Sequence, residues 1–243
     1  MSFTDRVVLV TGAGSGLGFE VARQFAAEGA HVVGADLRLD DVPDGVVPVT
    51  ADVSTEAGVQ TIIDETLSRW GRVDMLSNNV GWVSYSNALD CTVDEFRQSF
   101  EVNVLSAFLL TRAVLPSMIE NRGGSIVNTA STAGLVGLRD RAAYCANKAA
   151  VISFTRQVAV QYAGDGIRSN SVSPGAMATP MLERAFQKRD DPAAARALAE
   201  SSIPMGKLAT PEEVARTILY LSSEAAGHIT GTNIVIDGGI TAV

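Results

Sequence analysis

The sequence predicts an α/β fold, a single doubly wound domain with a parallel sheet of about seven strands and helices on both faces. Three observations carry that reading. Short β-branched runs alternate along the chain with longer stretches of helical period. The runs are apolar throughout, so each strand is buried on both faces and requires helices above and below a parallel sheet. Right-handed crossovers between such strands then wind the chain outward in two directions.

Val7–Thr11 is the first expected strand. The glycine-rich TGAGSGLG follows, then an Ala-rich amphipathic stretch from Gly16 to Glu28, with Gly29 where a helix ends. Further strands are expected at His31–Ala35, Val46–Thr50, Val73–Ser77, Ser125–Ala130, Ile167–Ser173 and Asn233–Ile236. Between them the helical period predicts helices at Thr55–Trp70, Asp94–Asn121, Ala142–Ala163 and Pro211–Ser222. Residues 179–203 interrupt the alternation with short helical pieces and are expected to form a lid over a pocket. Neither a repeat nor a linker divides the 243 residues, so one domain spanning 1–243 is expected.

Composition excludes several classes. At 47% apolar and 19% charged residues the chain is not disordered, and at 243 residues it buries a core without staples. The net charge of −8 repels phosphate backbones, which argues against a nucleic-acid partner. Cys91 and Cys145 form neither a CxxC pair nor a disulfide framework, and no metal-ligand cluster is apparent. Asp5 and Arg6 precede only four apolar residues, and no run of eighteen apolar residues occurs. The expectation is a cytoplasmic protein without a membrane span.

The first loop points to an anion. Gly12, Gly16 and Gly18, with Ser15 and Leu17 between them, lie between a strand and a helix. There a backbone without Cβ lets a pyrophosphate approach the helix N-terminus. Glycines also make ordinary turns, so Asp36 matters more: at the end of the second strand, beside Leu37, its carboxylate is placed to accept from adenosine ribose hydroxyls. An acid there repels a 2′-phosphate and favours NAD over NADP, with Arg38 a small counterweight, although a surface aspartate in a turn is the plainer alternative. Asp52, with Val53, either reaches the adenine side or caps the helix after Ser54.

Tyr144 and Lys148 stand four apart in an expected helix and share a face. A phenol is a poor base near neutrality, and a neighbouring ammonium is expected to favour the phenolate. Taken alone, the pair also reads as a half-buried tyrosine beside a surface lysine.

The set TGAGSGLG, Asp36, Asn78-Asn79-Val80-Gly81, Asn103, Ser131, Tyr144-Cys145-Ala146-Asn147-Lys148 and Ser173-Pro174-Gly175 resembles the short-chain dehydrogenase/reductase family, from Val7 to Gly239. The resemblance implies a Rossmann-like domain, a nicotinamide cofactor, and hydride transfer between NAD(H) and a secondary alcohol or ketone. It implies that Tyr144 is the general acid/base, that Lys148 assists it and holds the nicotinamide ribose, and that Ser131 holds the substrate oxygen. It also implies that Asn103 anchors a water in a relay to Lys148. In isolation Ser131 is a strand-end hydroxyl and Asn103 a helix-bending polar residue. Asn79, Val80 and Gly81, then Pro174, Gly175, Met177 and Thr179, are implied to line the cofactor cleft. Val80 departs from the family's alanine, and Thr179 doubles as a candidate N-cap.

For the substrate, the resemblance points to Trp82, Val83, Tyr85, Leu135, Arg139, Arg141, Met177 and Met181. Arg141 is placed to fork a carboxylate, unless Arg139-Asp140-Arg141 is a solvated charge run. A weaker likeness to the branch acting on hydroxy acids and sugar acids, with Lys207 as a second basic residue, suggests a small acid substrate. A 3-oxoacyl-carrier-protein or general carbonyl reductase using NADPH is the rival, and a non-catalytic NAD(H)-binding member a third reading. The apolar surplus on Asp94–Asn121 and Ala142–Ala163 predicts a homo-oligomer, dimer or tetramer.

Overall fold

All five residues of β1 (Val7–Thr11) are buried, with side chains sent alternately to opposite faces of a sheet. The computed structural model describes residues 1–242 and pairs seven parallel strands in the order β3-β2-β1-β4-β5-β6-β7. The others are β2 (His31–Asp36), β3 (Val46–Thr50), β4 (Met75–Asn78), β5 (Gly124–Thr129), β6 (Ile167–Pro174) and β7 (Asn233–Ile236). β1 sits between β2 and β4, with Val8 opposite both Val32 and Met75.

Two apolar layers result. Val8 and Val10 meet Val21 and Phe25 of α1 (Gly16–Ala27) and Val214 and Ile218 of α8 (Pro211–Ser222). On the other face Leu9 and Leu76 meet Ile62 of α2 (Glu56–Trp70) and Leu110 and Met118 of α4 (Ser106–Glu120). α5 (Ala142–Tyr162) adds Val158 to this layer. Each such side chain, removed from water, contributes roughly 1.5–3 kcal/mol before the entropic cost of ordering the chain.

The expected helix over Asp94–Asn121 is not continuous. α3 (Val93–Phe100) passes through a π-turn at Glu101–Leu105 into α4. The segment Val93–Glu120 is long and apolar enough to cross a membrane, with a mean hydropathy of 1.6 in its most apolar window, yet 56% of that window is buried in the fold. Its apolarity serves the sheet on one side and leaves Phe100, Phe108 and Ile119 exposed on another. The stretch 179–203 contains α6 (Pro180–Gln187) and α7 (Pro192–Ser201), each started by a capping side chain, Thr179 or Asp191, followed by proline.

Candidate active site

Gly12, Asp36, Asn79, Ser131 and Pro174 all follow or end strands at their C-terminal edge, so the parallel sheet gathers them at one end. A cavity of about 510 Å³ opens there. Its wall contains Gly12, Ser15, Gly16, Leu17, Gly18, Asp36, Leu37, Asn79, Val80, Gly81, Trp82, Ser131, Tyr144, Lys148, Pro174, Gly175, Met177, Thr179 and Met181. Asp52 and Val53 border a separate small recess that they share with Asp36, Leu37 and Val80.

The loop after β1 is shaped for close approach. A methyl group on Gly18 would lie 2.2 Å from the Gly12 carbonyl oxygen, so no other residue lets α1 begin this near β1. The Gly14 N–H donates to Asp36 Oδ2 at 3.1 Å and the Arg38 N–H to Oδ1 at 3.3 Å, which fixes the carboxylate at the cavity wall. Ser15, the N-cap of α1, makes no side-chain cap, and no acid stands in the first turn. The amides there remain available to an anion. Gly81 completes the cradle: a Cβ on it would sit 3.3 Å from Lys148 Nζ and 3.2 Å from Asn103 Oδ1. An anion-ready loop, a ribose-ready acid and a bare backbone beside a buried ammonium fit a nicotinamide dinucleotide.

Asp52 does not cap α2. Its Oδ1 accepts from the Ser54 N–H at 2.9 Å, while Thr55 is the N-cap and accepts from Gly58. Asn79 spends its side chain on the sheet, donating to Thr11 and Ser77 and accepting from Thr129 Oγ1 at 2.8 Å. That ties β1, β4 and β5 together behind Val80 and Gly81. Thr179 fulfils both of its expectations in part, lining the cavity while accepting from the Leu182 N–H at the start of α6.

Tyr144, Lys148 and Ser131 face this cavity together. Lys148 is buried, donates to the Thr129 carbonyl at 2.8 Å, and has its pKa lowered to about 8 by loss of hydration. Its Nζ lies 5.7 Å from the Tyr144 ring centroid. The expected acidification of the phenol is absent: burial pushes Tyr144 above its ordinary value, only partly offset by the Ser131 hydroxyl and the charge of Arg141. The ammonium is directed at a carbonyl, so desolvation wins. Ser131 Oγ accepts from the Ala133 N–H at 3.2 Å, leaving its own proton to donate. Phenol, hydroxyl and ammonium together can bind an oxygen and move a proton to or from it.

Asn103 sits in the π-turn, with its side-chain amide bonded to neighbouring backbone. Oδ1 accepts from the Trp82 N–H at 3.1 Å, and Nδ2 donates to the Trp82 carbonyl at 2.9 Å and the Ser99 carbonyl at 2.8 Å. It holds the Gly81–Trp82 wall. Arg141 departs from expectation, lying outside the cavity wall. Its guanidinium carbon stacks 3.9 Å from the Tyr85 ring centroid and Nη1 donates to the Asp140 carbonyl at 2.7 Å. Lys207 pairs with Glu213 at 2.7 Å beside a different recess. Gln98 of α3 and Val102 of the π-turn, which the sequence did not single out, also line the cavity.

A larger cavity, about 720 Å³, opens at the far end of the sheet, and most of the charged side chains on its wall are already paired. Arg6 and Arg72 pair with Asp74, and Arg168 caps the end of α8 by donating to the carbonyls of Leu221, Ser222 and Ser223.

The chain is similar to known proteins over almost its whole length. A family model described as enoyl-(acyl carrier protein) reductase matches residues 12–241. The chain is 38% identical to meso-2,3-butanediol dehydrogenase of Serratia marcescens, over 100% of this chain and 97% of that one. It is 35% identical to the 3-oxoacyl-[acyl-carrier-protein] reductase FabG of Thermotoga maritima, covering 99% of both. A solved short-chain type dehydrogenase/reductase from Mycobacterium marinum superposes with a TM-score of 0.90 at 33% identity, covering 100% of this chain and 98% of that one. The seven-stranded parallel sheet, the glycine loop and the full-length similarity make this chain a member of the short-chain dehydrogenase/reductase family of oxidoreductases.

Proposed function

We propose that the protein interconverts an uncharged secondary alcohol and its ketone using NAD(H). The observation that carries the reading is a single cavity shared by Ser131, Tyr144 and Lys148 with the glycine loop and Asp36. Residues of the Gly12–Gly18 loop would hold the pyrophosphate, Asp36 and Leu37 the adenosine ribose, and Gly81, Lys148 and the Pro174–Thr179 segment the nicotinamide half. A bound dinucleotide supplies hydride acceptance or donation. Tyr144 takes the proton from the alcohol oxygen, or returns it to the carbonyl oxygen, at its phenolic oxygen. Ser131 donates a hydrogen bond to the same substrate oxygen, stabilising charge as it builds there. Lys148, fixed by Thr129, would offer its remaining N–H donors to the nicotinamide ribose.

The scarcity of charge on the wall supports a neutral substrate class. Among the described residues only Asp36 and Lys148 are charged on this cavity wall, and Trp82, Val83, Met177 and Met181 make much of it apolar. That favours an uncharged substrate over the hydroxy or keto acid suggested by Arg141, in keeping with a relative named for butanediol. Asp36 favours NAD through its fixed negative charge. The test is a screen of hydroxy acids, sugars, diols and simple secondary alcohols with NAD and with NADP, following nicotinamide absorbance. Turnover of neutral alcohols with NAD is expected, and a flat trace with all of them overturns the reading. A carrier-protein-bound 3-oxoacyl substrate with NADPH is the second reading, supported by the FabG similarity. The net charge of −8 weighs against docking an acidic carrier.

The same proposal includes a homo-oligomer in the cytoplasm. Phe108, Ile119, Phe154 and Tyr162 line an open groove between α4 and α5. Light scattering on Phe108→Asp tests it, and a wild-type protein that runs as a monomer refutes it.

A further inference from the structure

The hydroxyl of Ser99 stands where three parts of the fold meet. It is fully buried in the last turn of α3 and accepts from Asn147 Nδ2 at 2.8 Å and Asn103 Nδ2 at 3.3 Å. Asn147, 1% exposed, is the residue before Lys148 on α5. Asn103 grips both polar groups of the Trp82 backbone, and Gly81 fits between Asn103 Oδ1 and Lys148 Nζ, where a Cβ would sit tightly at 3.2 and 3.3 Å. The contacts form a closed ring through Ser99, Asn147, Lys148, Gly81, Trp82, Asn103 and back to Ser99. Among the described residues, the Asn147–Ser99 bond is the only hydrogen bond joining α5 to α3 or the π-turn.

We propose that Ser99 is a positioning residue whose hydroxyl, by joining Asn147 to Asn103, holds Lys148 in register with the Gly81–Trp82 wall. The physical reason is rigidity. A long lysine side chain at a helix surface loses its place when its helix slides against a neighbour, and apolar contacts alone resist sliding weakly because they lack direction. A buried amide donating to a buried hydroxyl has direction, and in a dry interior a broken bond leaves both groups unsatisfied. α3 and α5 are thereby fixed one residue from the ammonium. Ser99 lies in the turn just before the π-turn, the irregular part of this helix pair.

The proposal rests on Lys148 belonging to the reactive set, and the experiment separates the two. Ser99→Ala, Asn147→Ala, the double variant and Lys148→Met are compared for NADH affinity by fluorescence titration, for kcat and KM, and for folding by circular dichroism. Each single variant is expected to weaken NADH binding about tenfold and lower kcat by about tenfold, with the alcohol KM moving less than about twofold. Because both act through one bond, the double variant is expected to be no worse than the weaker single variant by more than about twofold. NADH affinity and kcat near wild type in a folded single variant overturn the proposal, as does multiplication of the two effects. Should Ser99→Ala not fold, Asn147→Ala breaks the same bond from the other helix and is read by the same criteria. Wild-type behaviour of Lys148→Met would sink the functional reading itself. Loss there, with Ser99 and Asn147 variants unaffected, sinks only the positioning role.

Discussion

Lys148 Nζ donates to the carbonyl oxygen of Thr129 at 2.8 Å, while the ring of Tyr144 lies 5.7 Å from it, centroid to nitrogen. The lysine is therefore anchored to β5. Three directed contacts hold the reactive end: this one, the Ser131 hydroxyl, and the Asn103 clamp on Trp82.

Tyr144→Phe keeps the ring and its packing and removes only the proton-carrying oxygen. Turnover should fall by about 10²–10⁴-fold, the usual contribution of a positioned acid/base. NADH affinity, read by fluorescence titration, should change less than about twofold. Intact turnover would remove Tyr144 from the chemistry.

Lys148 makes stability depend on pH with a definite sign. Its folded pKa of about 8 is below the ordinary lysine value of 10.5, so between these two the unfolded chain holds more protons than the folded one. Its contribution to stability therefore rises as pH increases from about 8 toward 10.5, and below about 8 the buried charge carries its full penalty. Denaturant midpoints of ligand-free protein across this range, compared with Lys148→Met, should show the rise in wild type and its loss in the variant.

Arg141 acts on Tyr144 through its charge and draws the phenol's pKa down, although burial outweighs it. Arg141→Gln should then move Tyr144 further up and shift the acid limb of the alcohol-oxidation profile to higher pH, by a few tenths to about one unit. Arg141→Lys should restore part of the shift. A large, selective rise in KM for hydroxy acids over neutral alcohols in Arg141→Gln would instead show that the guanidinium leaves Tyr85 to meet a carboxylate.

Asp36→Asn removes the negative charge and leaves an oxygen to accept from the Gly14 N–H. The ratio of kcat/KM for NAD over NADP should drop about tenfold, near 1.4 kcal/mol, with melting temperature almost unchanged. An unchanged ratio would mean that the carboxylate serves only the loop.

Much of the fold is legible in the sequence because parallel strands announce themselves as continuous apolar runs. β2, β3, β6 and β7 lie within a residue of where those runs predict them. β4 begins at Met75, not Val73, because Asp74 turns its carboxylate to the Val7 N–H at 2.8 Å and serves the strand entrance. The break at Glu101–Leu105 is invisible in the hydrophobic period, which runs through it. It follows from what the Asn103 side chain bonds across space, at Trp82. Arg141 illustrates the same limit: the sequence supplies a charge beside Tyr144, but its direction is set by the Tyr85 face. Ser99 and Asn147 carry no local signal because neither is unusual in a helix, and their meaning arises only where α3 and α5 touch.

The sheet grows outward from β1 and β4, so the chain before Gly71 builds the wing holding Asp36 and the chain after it builds the wing holding Ser131, Tyr144 and Lys148. The wings are consecutive in sequence and not interleaved. Gly71 joins them as an exposed left-handed turn at φ 67°, with nothing within 4 Å of a Cβ placed there. A genetic crossover at that glycine would exchange the first wing as a cassette. A lineage with this topology can thus recombine the glycine loop and Asp36 while Ser131, Tyr144 and Lys148 are inherited together.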